Sequence, residues 1–231
     1  MDSIRSNIFA SDFVARPYWW GGTPRPHLVL DDLPPKVDVL VIGSGYTGLC
    51  ASVQTARGGR STLVIDAEEI GWGCSSRNGG QVSSSIKPDF ARLSKQHGSD
   101  TARQVLKEGY RALAWIGDFI QEEGIACDFR VTGRFHGAHT PRHYEKLGRR
   151  LNSPPDAPAL GAHLVPRSEQ SSEISTDFYH GGLVFQNHAS LDPAAYHQGI
   201  LDRVLAAGVR VVGYCPALSI EALPRGTGFR I

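Results

Sequence analysis

Two short apolar runs near the start of the chain predict buried β-strands. They cover residues 37–42 and 61–65, and both are rich in β-branched side chains. Runs of this length and composition are typical of strands that are buried on both faces of a parallel sheet. Residues 47–57 between them contain no proline and are followed by Gly58 and Gly59, which predicts a helix that ends at this glycine pair. The pattern is that of a complete βαβ unit.

The remaining pattern predicts one long helix and a mixed region of shorter elements. Apolar positions in residues 101–123 repeat near the helical period, and Gly124 follows them, which predicts a helix. Residues 70–85 are rich in glycine and serine, which predicts a loop that can lie against a ligand. The other predicted elements are strands within 127–136, a helix over 141–151, a proline-rich connection over 152–158, a strand at 183–185, a helix over 193–207, a strand over 209–212 and a sheet element at 229–231.

Composition narrows the class of protein. The 231 residues are 41% hydrophobic, enough for a sizeable core, and the formal net charge is +1 with basic residues scattered along the chain. These features predict neither a nucleic-acid partner nor a membrane surface. The first thirty residues lack the apolar run of a secretory signal, and the four cysteines stand far apart without metal-ligand spacing. We therefore expect reduced thiols in a cytoplasmic protein.

The histidines His136, His139 and His143 stand three and four residues apart. On one helix this spacing would place them on a single face. Gly137 and Pro141 interrupt such a helix, so a solvated loop is the better interpretation and no metal site is predicted.

A glycine motif lies between the first predicted strand and the first predicted helix. Residues Gly43 to Gly48 read Gly-Ser-Gly-Tyr-Thr-Gly and match GxGxxG. In such a motif the first glycine permits a tight turn, the second lets a pyrophosphate approach the backbone, and the third lets helix and strand pack closely. The helix N-terminus supplies N–H groups and the positive end of the helix dipole. The context predicts a dinucleotide-binding turn.

An acidic residue, Asp66, ends the second predicted strand. Its distance from Gly43 is close to the spacing of roughly 20 residues at which a carboxylate accepts hydrogen bonds from ribose hydroxyls. A carboxylate there repels a 2′-phosphate, so NADP is not expected. The glycine turn and Asp66 serve FAD and NAD equally well, and the residues alone leave both possible.

The segment from Gly71 to Gln81 resembles a known family. It reads Gly-Trp-Gly-Cys-Ser-Ser-Arg-Asn-Gly-Gly-Gln and is similar to the loop with an Arg-Asn-Gly-Gly core that runs beside the flavin in the D-amino-acid-oxidase-like family of FAD enzymes. A proline-rich arm with Tyr18, Trp19 and Trp20 before the first strand is typical of the gamma-glutamylputrescine oxidase group of this family. Residues 189–220 also follow the course of the family's second nucleotide-binding segment.

The resemblance implies FAD as the cofactor and a set of candidate contacts. Ser75, Ser76 and the backbone N–H groups of Arg77 and Asn78 would bond the pyrophosphate, Gly79 and Gly80 would leave room for the flavin ring, and the backbone of Ala217 would bond the adenine. Catalytic residues are not identified. The candidate cofactor-binding residues are Gly43, Ser44, Gly45, Tyr46, Thr47, Gly48, Asp66, Ala67, Ser75, Ser76, Arg77, Asn78, Gly79, Gly80, Gln81 and Ala217.

The resemblance also implies a fold class and a domain order. We expect an α/β protein with a Rossmann-like FAD-binding domain and part of an α+β substrate domain. The expected segments are an N-terminal arm at 1–35, the first part of the FAD-binding domain at 36–125, a partial substrate domain at 126–188 and the second part of the FAD-binding domain at 189–231. Because the family's proteins are considerably longer, we expect an N-terminal fragment or a split product.

The implied activity is oxidation of the C–N bond of an amine or amino acid to an imine. Oxygen would be the electron acceptor and hydrogen peroxide its product. Two other classes stay open: an NAD-dependent dehydrogenase, and a truncated nucleotide-binding protein without catalysis. The sequence does not identify the substrate.

Overall fold

The computed structural model of the chain describes residues 8–23, 25–29, 32–151 and 161–231. The predicted proline-rich connection at 152–158 lies outside these residues. The helices are α1 (Tyr46–Arg57), α2 (Phe90–His97), α3 (Ser99–Glu122), α4 (Pro141–Leu151) and α5 (Pro193–Ala206). The strands are β1 (Val39–Ile42), β2 (Thr62–Ile65), β3 (Gln81–Ser83), β4 (Arg130–Val131), β5 (Arg134–Gly137), β6 (Ala162–Val165), β7 (Gly182–Phe185), β8 (His188–Ser190), β9 (Arg210–Val212), β10 (Glu221–Ala222) and β11 (Phe229–Arg230).

The chain divides into two compact units. Unit 1 contains the described residues up to Asn78 together with Pro193–Ile231, and unit 2 contains Gly79–Asp192. The domain boundaries predicted from the sequence lie instead at 125/126 and 188/189. The units differ from that division because α3 packs against α2 and β3, so these elements group with the strands of unit 2. The predicted functional roles of the segments remain predictions.

Unit 1 is built on a parallel sheet in the order β1-β2-β9. The central strand, β2, is fully buried, as its apolar sequence predicts. The prediction that β1 is buried on both faces was wrong: its first three residues are half-buried, and Ile42 is 49% exposed. Among the described strands β1 has a neighbour on one side only, which leaves this edge strand less covered than β2.

The core of unit 1 follows from the alternation of side chains along these strands. Leu63, Ile65 and Val212 form one buried cluster, against which Leu40 and Ala217 pack. Val64 lies between Leu63 and Ile65 and therefore faces the other side of the sheet, where α1 packs against β2. Helix α5 packs against α1. This arrangement holds the N-terminus of α1 next to the end of β1.

Unit 2 contains two antiparallel sheets, β3-β8-β4 and β5-β7-β6. In the second sheet, Leu183 and Phe185 of β7 form a buried cluster with Ala138 and with Leu147 of α4. The predicted helix at 141–151 and the predicted strand at 183–185 are thus both present.

Two further predictions need correction, and several elements were not predicted. Residues 70–85 were predicted to be a loop throughout, but β3 forms within them because Gln81–Ser83 pairs with β8. The long helix begins at Ser99 and not at 101, and α2 precedes it, capped by the Asp89 side chain, which accepts a hydrogen bond from the Arg92 N–H. Strands β6, β8 and β10 were also not predicted. Among the described residues, no helix is both long and apolar enough to cross a membrane.

Candidate cofactor site

The glycine turn between β1 and α1 has the geometry that its sequence requires. Gly43 has a φ of +102°, a conformation that side chains disfavour. A Cβ atom on Gly48 would lie 2.0 Å from the Gly43 carbonyl oxygen and 3.1 Å from Val41 Cγ1. Only glycine permits this approach of helix and strand. The turn therefore fixes where α1 begins.

The N-terminus of α1 receives a cap from a distant loop. Gly45 precedes the helix and has no side chain to cap it. The Ser75 hydroxyl oxygen instead accepts a hydrogen bond from the Tyr46 N–H at 3.1 Å. A Cβ atom on Gly45 would meet that same hydroxyl at 3.0 Å. The structure thus brings together Gly45, Tyr46 and Ser75, at a helix end whose first N–H groups have no partner within the helix.

Asp66 is held at the end of β2 by the glycine turn. Its Oδ2 atom accepts hydrogen bonds from the Ser44 backbone N–H at 2.7 Å and from the Ser44 hydroxyl at 2.6 Å. Its Oδ1 atom accepts one from the Glu68 N–H at 3.1 Å. Because each carboxylate oxygen can accept about two hydrogen bonds, Oδ1 retains capacity for one more donor, such as a ribose hydroxyl.

Ser44 itself is engaged entirely within the protein. It is fully buried, its hydroxyl oxygen accepts a hydrogen bond from the Gly71 N–H at 2.9 Å, and its carbonyl oxygen lies 2.7 Å from His197 Nε2. These bonds hold Ser44 between Asp66, Gly71 and His197, and the cofactor contact predicted for Ser44 stays a prediction. The neighbouring candidates Thr47 and Ala67 are exposed.

Residues 70–80 before β3, the Gly/Ser loop, contain a short 3₁₀ turn, Cys74–Ser76. Ser76 is buried, and its hydroxyl donates to the Gly71 carbonyl oxygen at 2.6 Å while it accepts from Trp20 Nε1 at 2.8 Å and Arg25 at 3.2 Å. A hydroxyl group has one donor and two acceptor sites, so all three are used. The predicted contact of Ser76 with a pyrophosphate stays a prediction.

Arg77 and Asn78 also make bonds within the loop. The Arg77 N–H donates to the Cys74 carbonyl oxygen at 3.3 Å, and Asn78 Nδ2 donates to the carbonyl oxygens of Cys74 and Ser75 at 3.1 and 3.2 Å. The Arg77 side chain is exposed, with its guanidinium carbon 4.9 Å from the centre of the Trp72 ring. Its predicted place beside a flavin stays a prediction.

The remaining candidates lie farther along the chain. Gly79, Gly80 and Gln81 belong to unit 2, where Gly80 has a φ of +67° and accepts a hydrogen bond from the Leu191 N–H at 2.9 Å. Ala217 follows β9 in unit 1 and is half-buried against the sheet. The cofactor contacts predicted for these four residues stay predictions.

Three residues that the sequence analysis did not select organise this region. Gly71 has a φ of +71°, and a Cβ atom there would lie 2.4 Å from His197 Cε1. Burial lowers the pKa of His197, so its ring is neutral at pH 7 and Nε2 carries the proton that it donates to Ser44. The third residue, Arg25, contacts the Gly/Ser loop from the arm. Of these three residues, only Gly71 lies in a segment that the sequence marked as a candidate site, the segment from Gly71 to Gln81.

Tyr46 connects the first turns of α1 and α5. Its hydroxyl donates to the Pro193 carbonyl oxygen at 3.1 Å, and its ring lies 5.1 Å from that of Tyr196. Tyr46 therefore contributes a structural contact through its side chain as well as a backbone N–H to the helix end.

Three histidines of unit 2, His136, His139 and His143, lie near one another. The ring centres of His136 and His143 are 5.7 Å apart, and those of His139 and His143 are 6.0 Å apart. Among the described residues, no group of three or more His, Cys, Asp or Glu side chains is placed to hold a metal ion.

Comparison with known proteins identifies the family. Residues 38–231 match the family model DAO, described as FAD dependent oxidoreductase. The chain is 30% identical to gamma-glutamylputrescine oxidoreductase of Escherichia coli over 183 residues, which are 75% of this chain and 41% of that protein. It is 27% identical to a probable oxidoreductase of Rhizobium meliloti over 208 residues, which are 88% of this chain and 48% of that protein. The chain thus spans slightly less than half the length of these relatives.

Solved structures agree on the fold. Glycine oxidase from Geobacillus kaustophilus matches with a TM-score of 0.64 at 16% identity, over 84% of this chain and 50% of that one. L-amino acid deaminase from Proteus myxofaciens matches with a TM-score of 0.65 at 16% identity, over 88% of this chain and 44% of that one. At such identities the likeness concerns the fold alone. The family match over residues 38–231 shows that the chain belongs to the DAO family of FAD-dependent oxidoreductases.

Proposed function

We propose that this chain forms the FAD-binding part of an oxidoreductase that oxidises the C–N bond of an amine or amino acid to an imine. Family membership supports the cofactor, and the relative named gamma-glutamylputrescine oxidoreductase supports an amine as substrate. The observation that carries the proposal is the meeting of the Gly43–Gly48 turn, the Ser75 hydroxyl and the Asp66 carboxylate around the start of α1.

The residues around this helix end fit a dinucleotide. Gly45 has no side chain between the helix N-terminus and an incoming group, and the first-turn N–H groups of α1 favour a negative charge. We assign the pyrophosphate to these N–H groups and the Ser75 hydroxyl. We assign the ribose to Asp66, whose Oδ1 has acceptor capacity left. The fixed carboxylate disfavours a ribose that carries a 2′-phosphate.

The other candidate contacts in unit 1 belong to the same proposal. The Arg77 side chain would lie beside the flavin ring, the backbone N–H groups of Arg77 and Asn78 would bond the pyrophosphate, and the backbone of Ala217 would bond the adenine. Gly79, Gly80 and Gln81 of unit 2 are proposed separately as flavin contacts. Family membership argues against the NAD-dependent dehydrogenase that the glycine turn and Asp66 left possible.

When bound, FAD supplies a two-electron acceptor for the C–N bond, with oxygen as the proposed final acceptor. In the overall reaction the amine loses two electrons and two protons and becomes an imine, while oxygen gains them and becomes hydrogen peroxide. The residues of this chain hold and orient the cofactor. No side chain of the described residues is assigned to the substrate.

The test begins with the visible absorption spectrum of the purified chain, before and after FAD is added. We expect flavin bands that stay with the protein through gel filtration, and no comparable retention of NAD. Hydrogen peroxide release would then be measured with gamma-glutamylputrescine, other amines and amino acids. A chain that retains NAD but no FAD would refute the proposal. Retention of FAD without turnover would favour the alternative of a nucleotide-binding protein that does not act alone.

We also propose a cytoplasmic location, since all four cysteines are free thiols in the structure and a reducing compartment keeps thiols in that state. Fractionation of cells that express the chain tests this location, and recovery outside the cytoplasm would contradict it.

A further inference from the structure

The arm that precedes β1 contacts the Gly/Ser loop through one arginine. The Arg25 side chain is 14% exposed, and its Nε atom lies 3.0 Å from Glu69 Oε1. Its guanidinium group also donates to the carbonyl oxygens of Ile70 and Gly71 and to the Ser76 hydroxyl. A planar guanidinium can hold several acceptors in one fixed arrangement. Arg25 therefore connects residues 69–71, which precede the 3₁₀ turn, with Ser76 in that turn.

Two tryptophans of the arm add bonds to the same loop. Trp20 Nε1 donates to the Ser76 hydroxyl at 2.8 Å, and Trp19 Nε1 donates to the Asn78 carbonyl oxygen at 2.9 Å. The Trp20 ring lies 3.9 Å from the Arg25 guanidinium carbon, which is a cation–π distance. Ser76 thus receives hydrogen bonds from both Arg25 and Trp20.

The residue next to Ser76 is the one that reaches α1. Ser75 accepts the hydrogen bond of the Tyr46 N–H, although the two residues are 29 positions apart in the sequence. The surrounding segment contains Gly71 and Gly73, and glycine has little intrinsic preference for one conformation. A binding group needs to be held within about 0.5 Å of its productive position. The contacts of the arm with Ser76 supply that restraint.

We propose that Arg25 is a positioning residue for the pyrophosphate subsite. It holds Ser76, and through Ser76 it keeps the neighbouring Ser75 hydroxyl at the N-terminus of α1. Trp20 contributes in the same way through its indole N–H. This inference rests on the proposed FAD site, and it assigns to the arm a role in cofactor binding.

A double-mutant cycle on the full chain tests this coupling. The variants are Arg25→Gln, Ser75→Ala and the double variant, and the dissociation constant for FAD is measured for each by fluorescence titration. We expect each single variant to bind FAD about tenfold more weakly, the effect of one lost charge-assisted or neutral hydrogen bond. The double variant should bind no more weakly than the weaker single variant, since both changes remove the same placed hydroxyl.

Adenosine distinguishes positioning from a general loss of structure. It lacks phosphate and would use the Asp66 end of the site alone, so its affinity, measured by competition with FAD, should change less than twofold in Arg25→Gln. Arg16→Gln removes the same charge from an exposed position of the same arm and should leave both affinities unchanged. If Arg25→Gln does not fold, Trp20→Phe, which keeps the ring and removes the N–H, takes its place in the cycle.

The outcomes separate this inference from the proposed function. If the wild-type chain does not bind FAD, both fail. If the wild-type chain binds FAD, the inference alone is overturned by an unchanged FAD affinity in Arg25→Gln, by additive effects in the double variant, or by equal weakening of FAD and adenosine.

Discussion

Ser44 donates two hydrogen bonds, from its backbone N–H and its hydroxyl, to a single oxygen of Asp66. A second pair on the surface of unit 1 repeats this arrangement: the N–H and hydroxyl of Ser61 both donate to Asp38 Oδ2, at 2.9 and 2.8 Å. The two pairs differ in burial, because Ser44 is fully buried while Ser61 and Asp38 are exposed. They form a matched comparison of one geometry in two environments.

We predict that Ser44→Ala destabilises the protein much more than Ser61→Ala. Removal of the Ser44 hydroxyl leaves the buried Gly71 N–H without its acceptor, which costs about 1–3 kcal/mol of unfolding free energy. Water replaces the lost hydroxyl at the exposed pair, so Ser61→Ala should cost less than about 1 kcal/mol. Urea unfolding of both variants measures the difference. Equal costs would show that Ser44 does not act as the buried link between the turn and the loop.

Gly45→Val should abolish FAD retention. The new side chain would stand between the helix N-terminus and the pyrophosphate, and its Cβ atom would meet the Ser75 hydroxyl at 3.0 Å. Gly22→Val is the matched control, because a Cβ atom at Gly22 has no neighbour within 4 Å and its φ is −100°. The flavin absorbance that stays with each protein after gel filtration is measured. Unchanged flavin content in Gly45→Val would remove the proposed site.

Local patterns account for much of unit 1. The apolar runs of β1 and β2, the glycine turn and the glycine pair after α1 predict these elements, because each depends on residues close in sequence. Strand β3 and helix α2 were missed for different reasons. Strand β3 has three residues and is stabilised by pairing with β8, more than a hundred positions along the chain. Helix α2 is short, and its signal is the Asp89 cap alone.

The candidate site was predicted less completely than the turn that supports it. A motif predicts that a serine is near a nucleotide, but it does not show whether the serine hydroxyl already makes hydrogen bonds within the protein. Ser44 and Ser76 are such cases, since Asp66, Gly71 and Trp20 occupy their hydrogen-bonding capacity. Arg25 had no signal, because its acceptors lie more than forty residues away.

Arg77→Gln should weaken FAD binding without loss of stability. The side chain is exposed and stacks over the Trp72 ring, so its removal should change the free energy of unfolding by less than about 0.5 kcal/mol. If the guanidinium lies beside the flavin as proposed, the dissociation constant for FAD should rise about tenfold, as for one lost charge-assisted hydrogen bond. Arg111→Gln, at an exposed position of α3, serves as the control. Unaltered FAD affinity in Arg77→Gln would remove this residue from the site.

The cysteines should differ sharply in reactivity. Cys74 is exposed, whereas Cys127 is buried and burial raises the pKa of its thiol to about 11. Since the thiolate is the reactive form, Cys74 should react rapidly with a disulfide reagent at pH 8 and Cys127 only after unfolding. Cys74→Ser should remove the rapid phase of the absorbance change. A rapid phase that persists in this variant and disappears in Cys127→Ser would contradict the burial of Cys127.

His197 should make the stability of the protein depend on pH below neutrality. Burial lowers its pKa, an effect that the nearby Arg25 charge reinforces and that the hydrogen bond to Ser44 and the Asp66 charge oppose. In the unfolded chain the imidazole takes up a proton near the ordinary pKa of about 6.5. The folded state binds that proton only at lower pH. The stabilisation is therefore complete above about pH 6.5 and is lost as the pH falls toward the folded-state pKa.

Urea unfolding between pH 7.5 and 5.5 measures this dependence. One proton contributes a slope of at most about 1.4 kcal/mol per pH unit, and His197→Gln should reduce the slope because glutamine keeps an N–H donor for Ser44 but does not titrate. Burial and the Arg134 charge also lower the pKa of His188 in unit 2, so part of the slope should remain until His188→Gln is added. A slope that is the same in wild type and His197→Gln would show that burial in the folded state does not lower the pKa of His197.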